Sequence, residues 1–530
     1  MALPPTIPHL AASAAERFGD RPALLEDGET WSFAELWRRA RAAASAFLAN
    51  GIGPGDRIAI WAPNRAEWIV AAIGAQTAGA AIVPLNTRLK GREAGDILRR
   101  TGARMLFAVG DFLGTDYPAL LADEDLPALE RTTLFDCDWE AFLAEGAGAE
   151  DTRVADALAA LRPDALSDIM FTSGTTGAPK GVLTTHGRII PMFEAWGDAV
   201  GLREGDVYLI VNPFFHSFGF KAGWVAALIK GATIVPMATF DLAKAIAHIE
   251  RDRVSFLPGP PTIFQSLLAE PRFDSASLRC AVTGAATVPP ILIERMRDEL
   301  GFRTIVTAYG MTECSAITSC RQGDSVALVA SSCGKALPGL DVKCADDAGR
   351  EVPRGQEGEV LVRGYGVMLG YLDDPAATAE AIDAGGWLHT GDVGVMDAAG
   401  YLRITDRKKD MYISGGFNCY PAEIEKLLSA HPAVAAVAVI GVPDERMGEI
   451  GHAFVVLRPG TQADEAALVG WSRANMANYK APRRVTLLDA LPLNASGKVV
   501  KPELRAIAGG GMLNRRDRVP EGLTKPAARP

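Results

Sequence analysis

The stretch Phe171-Thr-Ser-Gly-Thr-Thr-Gly-Ala-Pro-Lys180-Gly181 interleaves four hydroxyl side chains with three glycines and carries one lysine near its end. It follows an apolar run, residues 166–171, that predicts a β-strand. Glycines let a backbone approach a ligand closely, while hydroxyls, amide N–H groups and the lysine donate to phosphate oxygens. The stretch is not a Walker A loop, because Pro179 stands where that pattern requires its second glycine. It therefore predicts a phosphate loop of another kind, at the end of a strand.

Outward from this loop, short apolar strands alternate with helical patterns. This alternation predicts a largely parallel sheet covered by helices on both faces, hence an α/β fold with ligands at the carboxyl ends of its strands. The expected strands are residues 57–61, 207–211, 254–257, 280–283 and 304–308, and the expected helices begin after Ser32, Asp241 and Thr262 and at Pro289-Pro290.

The sequence pattern changes after about Cys333. Beyond that residue, positions 359–362 and 401–404 predict antiparallel strands. The dense charge run Asp406–Asp410 is typical of a domain end. We therefore expect a large N-terminal domain over residues 1–408 and a small α+β domain over 409–508. The Gly-, Pro- and Arg-rich residues 509–530 predict a disordered tail.

Composition excludes several classes of protein. The 530 residues include 54 Lys+Arg against 64 Asp+Glu, a formal charge of −10, and 48% are hydrophobic. This chain is too apolar for a disordered protein, and its acidity speaks against nucleic-acid or anionic-membrane partners. Seven scattered cysteines without a CxxC pair, and no signal peptide or membrane-length apolar run, predict a cytoplasmic protein. The oligomeric state stays open, a homodimer included.

Further motifs follow the phosphate loop in order. Together they resemble those of the adenylate-forming enzymes, namely acyl-CoA synthetases, luciferases and peptide-synthetase adenylation domains, over about residues 10–505. The resemblance implies a large N-terminal domain of mostly parallel sheets with a small antiparallel region, followed by a small mobile C-terminal domain. The motifs are Tyr309-Gly-Met-Thr-Glu313, Thr390-Gly-Asp392, Asp406-Arg407, Ser414-Gly415-Gly416, Pro421-x-Glu423 and Asn494-Ala-Ser-Gly-Lys498.

The resemblance implies ATP and Mg²⁺ at the phosphate loop. Glu313 is a hard oxygen ligand of the kind Mg²⁺ prefers, and Thr175 is its expected companion. Thr312 is expected to hydrogen-bond the α-phosphate. The loop residues expected to contact the phosphates are Thr172, Ser173, Gly174, Thr175, Thr176, Gly177 and Lys180.

The remainder of the nucleotide site is expected around adenine and ribose. Tyr309 offers a flat face for stacking on adenine, next to Gly310. Asp392 can accept hydrogen bonds from both ribose hydroxyls, and Arg407 resembles a second ribose contact. Gly284 and Ala285 resemble the adenine loop.

The C-terminal motifs imply the chemistry of two half-reactions. Lys498 resembles the cation that bridges the attacking carboxylate and the α-phosphate, where negative charge concentrates. Lys409 resembles a hinge position about which the small domain rotates. Gly415 and Gly416 would then line the route of the CoA thiol, because a bare backbone leaves room for the pantetheine arm.

The acid site is expected around Asn212-Pro-Phe-Phe-His216-Ser-Phe-Gly219, where His216 either has a structural role or orients the substrate. Lys221 is interpreted first as a surface lysine, with contact to a polar group of the substrate as the alternative. The mixture of aromatic and small residues favours a bulky hydrophobic acid. The expected pocket walls are Phe215, Phe218, Phe220, Trp224 and Ala308.

The sequence thus predicts an AMP-forming acid–thiol ligase that makes an acyl-adenylate from a carboxylic acid and ATP, then an acyl-CoA. The segments PFFHSFGFKAG, LPGPPTIFQSLL and VTGAATVP resemble segments of the ligases that activate the bicyclic propanoate from actinobacterial steroid-ring degradation. A medium- or long-chain fatty acid is the main competing substrate. A luciferase-like oxygenase, a carrier-loading enzyme and a nucleotide-binding regulator are the alternatives of other classes.

Overall fold

The structure is a computed structural model that describes residues 3–147, 151–172, 179–270, 273–284, 288–407, 410–414, 417–444, 447–476, 478–494 and 498–509. The chain forms two compact units, Met1–Ile404 and Thr405–Pro530. The charge run Asp406–Asp410 falls just after this division.

A nine-stranded sheet forms one layer of the N-terminal unit. Its central strands pair in parallel, and the pairings at both edges are antiparallel. This is the arrangement expected where buried strands alternate with helices. In spatial order the strands are Lys335–Ala336, Cys314–Ser319, Thr304–Met311, Cys280–Thr283, Phe256–Pro258, Val207–Ile210, Thr233–Pro236, Pro22–Glu26 and Glu29–Ser32.

A seven-stranded sheet carries the predicted phosphate loop. Four neighbouring pairs are parallel, and the two pairs at the edge that holds the loop are antiparallel. In spatial order its strands are Gly370–Tyr371, Lys180–Thr185, Leu166–Thr172, Ala81–Pro84, Arg57–Trp61, Met105–Ala108 and Arg131–Leu134.

The predicted antiparallel region is a four-stranded sheet. The strands of this sheet are Leu340–Ala345, Glu357–Gly364, Leu388–Met396 and Leu402–Arg407, in that order. The predicted α/β fold with mostly parallel sheets is confirmed. A short antiparallel pair, Asp111–Phe112 with Thr115–Asp116, lies outside the three sheets.

The helix Ala66–Thr77 explains the most apolar stretch of the sequence. All of its residues except Glu67 are buried, as expected of an apolar helix inside the core of a large domain. The other helices of this unit are Ile7–Phe18, Phe33–Ala49, Gly91–Thr101, Tyr117–Leu120, Trp139–Glu145, Asp151–Ala160, His186–Val200, Ser217–Gly219, Phe220–Val225 (kinked at Gly223), Ala226–Lys230, Leu242–Arg251, Pro261–Ala269, Pro290–Asp298, Val326–Ser331 and Pro375–Ala381.

Local sequence rules explain most element ends. Asp27 and Gly28 both have positive φ and close a two-residue hairpin. Ser32 accepts from the Glu35 N–H and begins the helix Phe33–Ala49, as predicted. The prediction that Thr262 caps a helix is wrong, because Pro261 already fits the first helical position and Thr262 lies inside the first turn.

The C-terminal unit has its own small core. Helices pack on a sheet whose long hairpin joins Val434–Asp444 to Gly448–Leu457. The other strands are Tyr412–Ser414, Phe417–Cys419 and Arg484–Leu487, and the helices are Pro421–Leu428, Glu465–Asn475 and Lys501–Ala508. This matches the predicted α+β domain. The expected tail lies almost entirely outside the described residues.

All seven cysteines are free thiols. In the part of the chain that the structure describes, no helix combines the length and the apolar character needed to span a bilayer.

Candidate active site

The predicted phosphate loop connects two antiparallel strands, Leu166–Thr172 and Lys180–Thr185, which we call the phosphate-loop hairpin. Thr172 lies opposite Lys180, so the chain leaves one strand and returns along the next rather than entering a helix. This geometry explains why the Walker A pattern does not apply. Ser173, Gly174, Thr175, Thr176 and Gly177 lie outside the described residues.

A cationic side chain holds the return side of this loop. Arg100 donates to the Pro179 carbonyl at 2.6 Å, and its guanidinium lies 5.0 Å from the centroid of the Phe171 ring. Both contacts fix the chain close to where the loop begins and ends.

Tyr371 connects two predicted site residues. The Lys180 ammonium lies 4.8 Å from the centroid of the Tyr371 ring, and the Tyr371 hydroxyl donates to Glu313 Oε1 at 2.9 Å. Burial, and then the Glu313 charge, raise the pKa of Tyr371, so the hydroxyl keeps its proton and remains a donor. The predicted phosphate cation and the predicted metal carboxylate therefore share one neighbour.

Glu313 and Thr312 form the two-residue turn between the strands Thr304–Met311 and Cys314–Ser319. Glu313 is 9% exposed, whereas Thr312 is half-buried. Gly310 is required for this tight hairpin, because a Cβ there would lie 2.2 Å from the Ser315 carbonyl oxygen. The turn thus places a carboxylate-bearing residue and a hydroxyl-bearing residue next to each other in the chain.

Tyr309 and Asp392 meet at the adenine and ribose end of the predicted site. The Tyr309 hydroxyl donates to Asp392 Oδ2 at 2.5 Å, and burial, followed by the Asp392 charge, raises the pKa of Tyr309 well above its ordinary value. Asp392 is 5% exposed, and its N–H donates to the Thr390 hydroxyl at 3.1 Å. The hydrogen bond from Tyr309 thus occupies one oxygen of the Asp392 carboxylate.

Gly284 lies at the carboxyl end of the strand Cys280–Thr283 in the nine-stranded sheet. A Cβ on Gly284 would lie 3.2 Å from the Ala308 carbonyl oxygen. Ala285 lies outside the described residues. Arg407 ends the strand Leu402–Arg407, and its side chain is outside the described part of the structure.

The predicted acid site begins with a loop held by Asn64. The Asn64 amide donates to the carbonyls of Ile210 and Asn212 at 3.1 and 2.9 Å and accepts from the Phe214 N–H at 2.7 Å. His216 is exposed, and its Nδ1 accepts from the Phe218 N–H at 3.2 Å. His216 therefore caps the short helix Ser217–Gly219, and an orienting role remains a prediction.

The expected pocket walls divide into two groups. Phe215, Phe218 and Ala308 are half-buried. Phe220 and Trp224 are fully buried and stack on each other at 5.0 Å, with Trp68 in edge contact with both rings. The first group has exposed surface left for a ligand, whereas Phe220 and Trp224 have none in this structure.

Lys221 is fully buried, so its interpretation as a surface lysine is wrong. Its ammonium lies 2.9 Å from Asp168 Oδ1, and both side chains are 0% exposed. It also donates to the Thr184 hydroxyl at 3.2 Å. Burial raises the pKa of Asp168, and the attraction of Lys221 opposes that shift. A buried partner, distant in sequence, outweighs the usual preference of lysine for water.

The C-terminal unit presents the predicted catalytic lysine on a turn. Asn494 N–H donates to the Lys498 carbonyl at 2.8 Å, and Lys498 N–H donates to Asn494 Oδ1 at 2.9 Å. The Lys498 side chain is exposed. Lys409, Gly415 and Gly416 lie outside the described residues, so the hinge and the thiol route remain predictions.

The metal prediction fits a cation that arrives with the nucleotide. Among the described residues, no group of three or more His, Cys, Asp or Glu side chains could hold a metal ion by itself. Mg²⁺ in nucleotide sites takes one or two protein ligands and completes its shell with phosphates and water. A single carboxylate at Glu313 is compatible with that mode.

Sequence reasoning missed three residues that organise the site: Asn64, Asp168 and Tyr371. Asn64 follows the strand Arg57–Trp61 at its carboxyl end, a position that could have identified it. Asp168 is a charged residue inside an apolar strand, which is also a usable signal. Tyr371 gives no such signal, because its partners are Lys180 and Glu313, far away in the chain.

Two protein-family models match this chain. The model of the family described as "AMP-binding enzyme" matches residues 11–372, and that described as "AMP-binding enzyme C-terminal domain" matches residues 423–498. These ranges include the phosphate-loop hairpin and end at Lys498.

Two relatives and one solved structure extend over almost the whole chain. Proteins of Mycobacterium tuberculosis (strain H37Rv) and Rhodococcus jostii (strain RHA1), both named "3-[(3aS,4S,7aS)-7a-methyl-1,5-dioxo-octahydro-1H-inden-4-yl]propanoyl:CoA ligase", are 50% identical over 511 residues and 48% identical over 521 residues. The matches cover 95% of this chain and 99% and 98% of the relatives. The crystal structure of ATP-bound MatB from Rhodopseudomonas palustris has a TM-score of 0.82 at 29% identity, covering 95% of this chain and 99% of that one.

Proposed function

This chain belongs to the AMP-binding enzyme family, and from that premise we propose that it is an AMP-forming acyl-CoA ligase for a bicyclic propanoate. The acid carries the methyl-dioxo-octahydroindene ring system named in the two relatives, and we call it the indane propanoate. The observation that carries this proposal is 50% identity over 511 residues to one of those ligases.

In the first half-reaction, an oxygen of the acid's carboxylate attacks the α-phosphorus of ATP, and the bond to pyrophosphate breaks. The product is an acyl-adenylate, a mixed anhydride with an electrophilic acyl carbon. Two anionic groups must approach each other, so cations are needed near the α-phosphate. Lys180 and Lys498 are the proposed protein cations, and Thr312 is the proposed donor to the α-phosphate.

Mg²⁺ enters this proposal as part of the ATP substrate. Glu313 is its proposed protein ligand, with Thr175 as the second, and the ion would neutralise phosphate charge. The Tyr371 hydroxyl restricts the orientation of the Glu313 carboxylate through its hydrogen bond of 2.9 Å. Tyr309 and Asp392 are the proposed contacts to adenine and ribose, and Arg407 is the second ribose contact.

In the second half-reaction, the thiolate of CoA attacks the acyl carbon and AMP leaves. Lys498 has no function in this step, and its family resemblance implies that rotation about Lys409 removes it and brings Gly415 and Gly416 to the thiol. We propose the same two-stage use of the C-terminal domain here, with residues 1–408 and 409–508 as the moving parts.

The proposed location is the cytoplasm. The seven free thiols suit a reducing compartment, which is also where ATP and CoA are available to a ligase.

The test is exchange of labelled pyrophosphate into ATP with the purified chain. The indane propanoate, dodecanoate and ferulate are compared as acids, and thioester formation is then measured with CoA. We expect exchange and acyl-CoA formation with the indane propanoate, at a kcat/KM at least tenfold above that of the other two acids.

Other outcomes distinguish the alternatives. Preference for dodecanoate would replace the steroid-derived acid with a fatty acid and leave the ligase activity intact. Exchange without CoA turnover would favour carrier loading, or a luciferase-like reaction if O₂ is consumed. Absence of exchange with every acid would contradict the proposed activity itself.

A further inference from the structure

The buried ion pair of Lys221 and Asp168 is not used by the reaction described above. Both side chains are 0% exposed, and the ammonium nitrogen lies 2.9 Å from Asp168 Oδ1. Removing two charges from water has a large free-energy cost, and well-packed apolar residues often replace such pairs without loss of stability. Stability alone therefore does not account for this pair.

Lys221 joins both arms of the phosphate-loop hairpin. Asp168 lies on the outgoing strand and Thr184 on the returning strand, directly opposite each other in the register of the hairpin. The ammonium contacts the Asp168 carboxylate and the Thr184 hydroxyl, the latter at 3.2 Å. Asp168 comes four residues before Thr172, and Thr184 comes four residues after Lys180. Lys221 thus fixes the two strands at equal distances from the loop.

The other end of this connection is the kinked helical segment Phe220–Val225, which carries Lys221. The segment is kinked at Gly223, whose φ of −82° and ψ of −106° are not helical, and all of its residues are buried. Phe220 stacks on Trp224 at 5.0 Å, and the Tyr208 hydroxyl donates to the Ala222 carbonyl at 3.1 Å. The segment begins two residues after the half-buried Phe218, an expected wall of the acid pocket. The kinked segment is therefore held by packing in the core and continues in the chain from the expected acid site.

We propose that Lys221 is a positioning residue that couples the acid site to the phosphate loop. The inference rests on the proposed function, because it takes the segment around Phe218 as part of the acid site. When the acid binds, the kinked segment Phe220–Val225 is held in one position, and Lys221 holds the two hairpin strands in the arrangement that binds ATP. The two substrates then bind more tightly together than separately, which is a coupling free energy between sites.

The experiment measures that coupling directly. Binding of α,β-methylene-ATP is measured calorimetrically with and without saturating indane propanoate, and the ratio of the two dissociation constants is the coupling factor. We expect a factor of roughly 10 in the wild type, within the usual range for coupled sites. In the double variant D168N/K221M, which leaves no unpaired charge, we expect a factor close to 1, with kcat of pyrophosphate exchange also lowered.

Two further variants make the result specific. T184V removes only the hydroxyl on the returning strand and keeps the ion pair, so it is expected to fold and to lower the coupling factor about threefold. K230M is the matched control, because Lys230 pairs with Glu194 and Asp198 at 3.0 and 2.7 Å, away from the hairpin. We expect K230M to keep the coupling factor of the wild type.

The outcomes separate this inference from the proposed function. A wild type without pyrophosphate exchange contradicts the proposed function. A wild type that exchanges but has a coupling factor of 1 overturns the role of Lys221. So does unchanged coupling in both D168N/K221M and T184V. If the double variant does not fold, the factor measured in T184V alone decides.

Discussion

At the scale of single residues, Tyr371 has the most direct effect on the proposed chemistry. Its ring faces the Lys180 ammonium, and its hydroxyl donates to Glu313. The pair Lys180 and Glu313 was predicted from sequence motifs, whereas the residue that holds them together was not. A motif records which side chains touch the ligand, and it does not record which neighbours orient them.

Replacing Tyr371 with phenylalanine tests this orientation. Y371F keeps the aromatic ring next to Lys180 and removes the donor to Glu313, so the carboxylate loses a hydrogen bond worth about 1.5 kcal/mol. We expect kcat of pyrophosphate exchange to fall about tenfold, with little change in the KM of the acid. The matched control is Y365F, because the Tyr365 hydroxyl donates to the Pro338 carbonyl instead. Equal rates in the wild type and Y371F would mean that other contacts orient Glu313.

Lys221 demonstrates the limit of sequence reasoning at this scale. A lysine within an apolar stretch is usually a surface residue whose stem packs on apolar groups. Here the partner, Asp168, lies on another strand and both groups are buried. The pairing depends on tertiary contact, so local pattern alone could not identify it.

At the scale of elements, the strands and helices with local signals were predicted well. Residues 57–61 and 280–283 form strands with the predicted bounds, and the helix after Asp241 runs over Leu242–Arg251. The strand predicted at 254–257 forms instead at Phe256–Pro258, because pairing with its two neighbours decides where it starts. Boundaries set by pairing are the least readable from a single segment.

One helix is capped by a residue from another element. The helix Ala66–Thr77 has no side-chain cap of its own, and Glu26 Oε2 accepts from the Ala66 N–H at 2.8 Å. Burial raises the pKa of Glu26 to about 7, although this hydrogen bond opposes the shift, and nearby Glu67 and Asp27 add to it. The charged form of Glu26 is therefore disfavoured in the folded protein.

This cap predicts a dependence of stability on pH. The pKa of Glu26 is higher in the folded protein than in the unfolded chain, so the folded state binds more protons between about pH 4.5 and 7. The free energy of unfolding consequently falls as pH rises through that range. E26Q keeps an oxygen that accepts from Ala66 and cannot ionise. At pH 8 we expect E26Q to be more stable than the wild type by roughly 1–3 kcal/mol and to unfold at a higher temperature. At pH 5 we expect a much smaller difference.

Thermal unfolding followed by circular dichroism at the two pH values measures this effect. E140Q is the control, because Glu140 is exposed on the helix Trp139–Glu145. A constant difference between E26Q and the wild type at pH 5 and pH 8 would show that Glu26 does not titrate in this range.

At the scale of the whole molecule, the division into two units agrees with a chemical requirement. An acyl-adenylate ligase must deliver a cation for the first half-reaction and admit a thiol for the second. Within the C-terminal unit, Asp406 accepts from the Ala422 N–H at 3.1 Å, and Asp410 pairs with Lys501 at 3.2 Å. Both residues that flank the proposed hinge are thus bonded to helices of that unit. The helix Lys501–Ala508 begins three residues after Lys498, so the lysine turn and this helix are joined by a short connection.

Replacing Lys498 with alanine separates the two half-reactions. Because the Lys498 side chain is exposed, removing it disturbs no buried packing. K498A is therefore expected to fold as the wild type does. Pyrophosphate exchange should fall by a factor of 10²–10³, because the loss of one preorganised donor to the transition state costs about 3–4 kcal/mol. Thioester formation from chemically synthesised acyl-adenylate and CoA should stay within about twofold of the wild type, since no step of that half-reaction uses the lysine. K426A, which removes another exposed lysine of the same unit, is the control for both assays. Equal loss in both half-reactions would contradict the alternating use of the C-terminal domain, because the lysine would then serve the acyl-adenylate in both steps or support the fold of the unit that carries it.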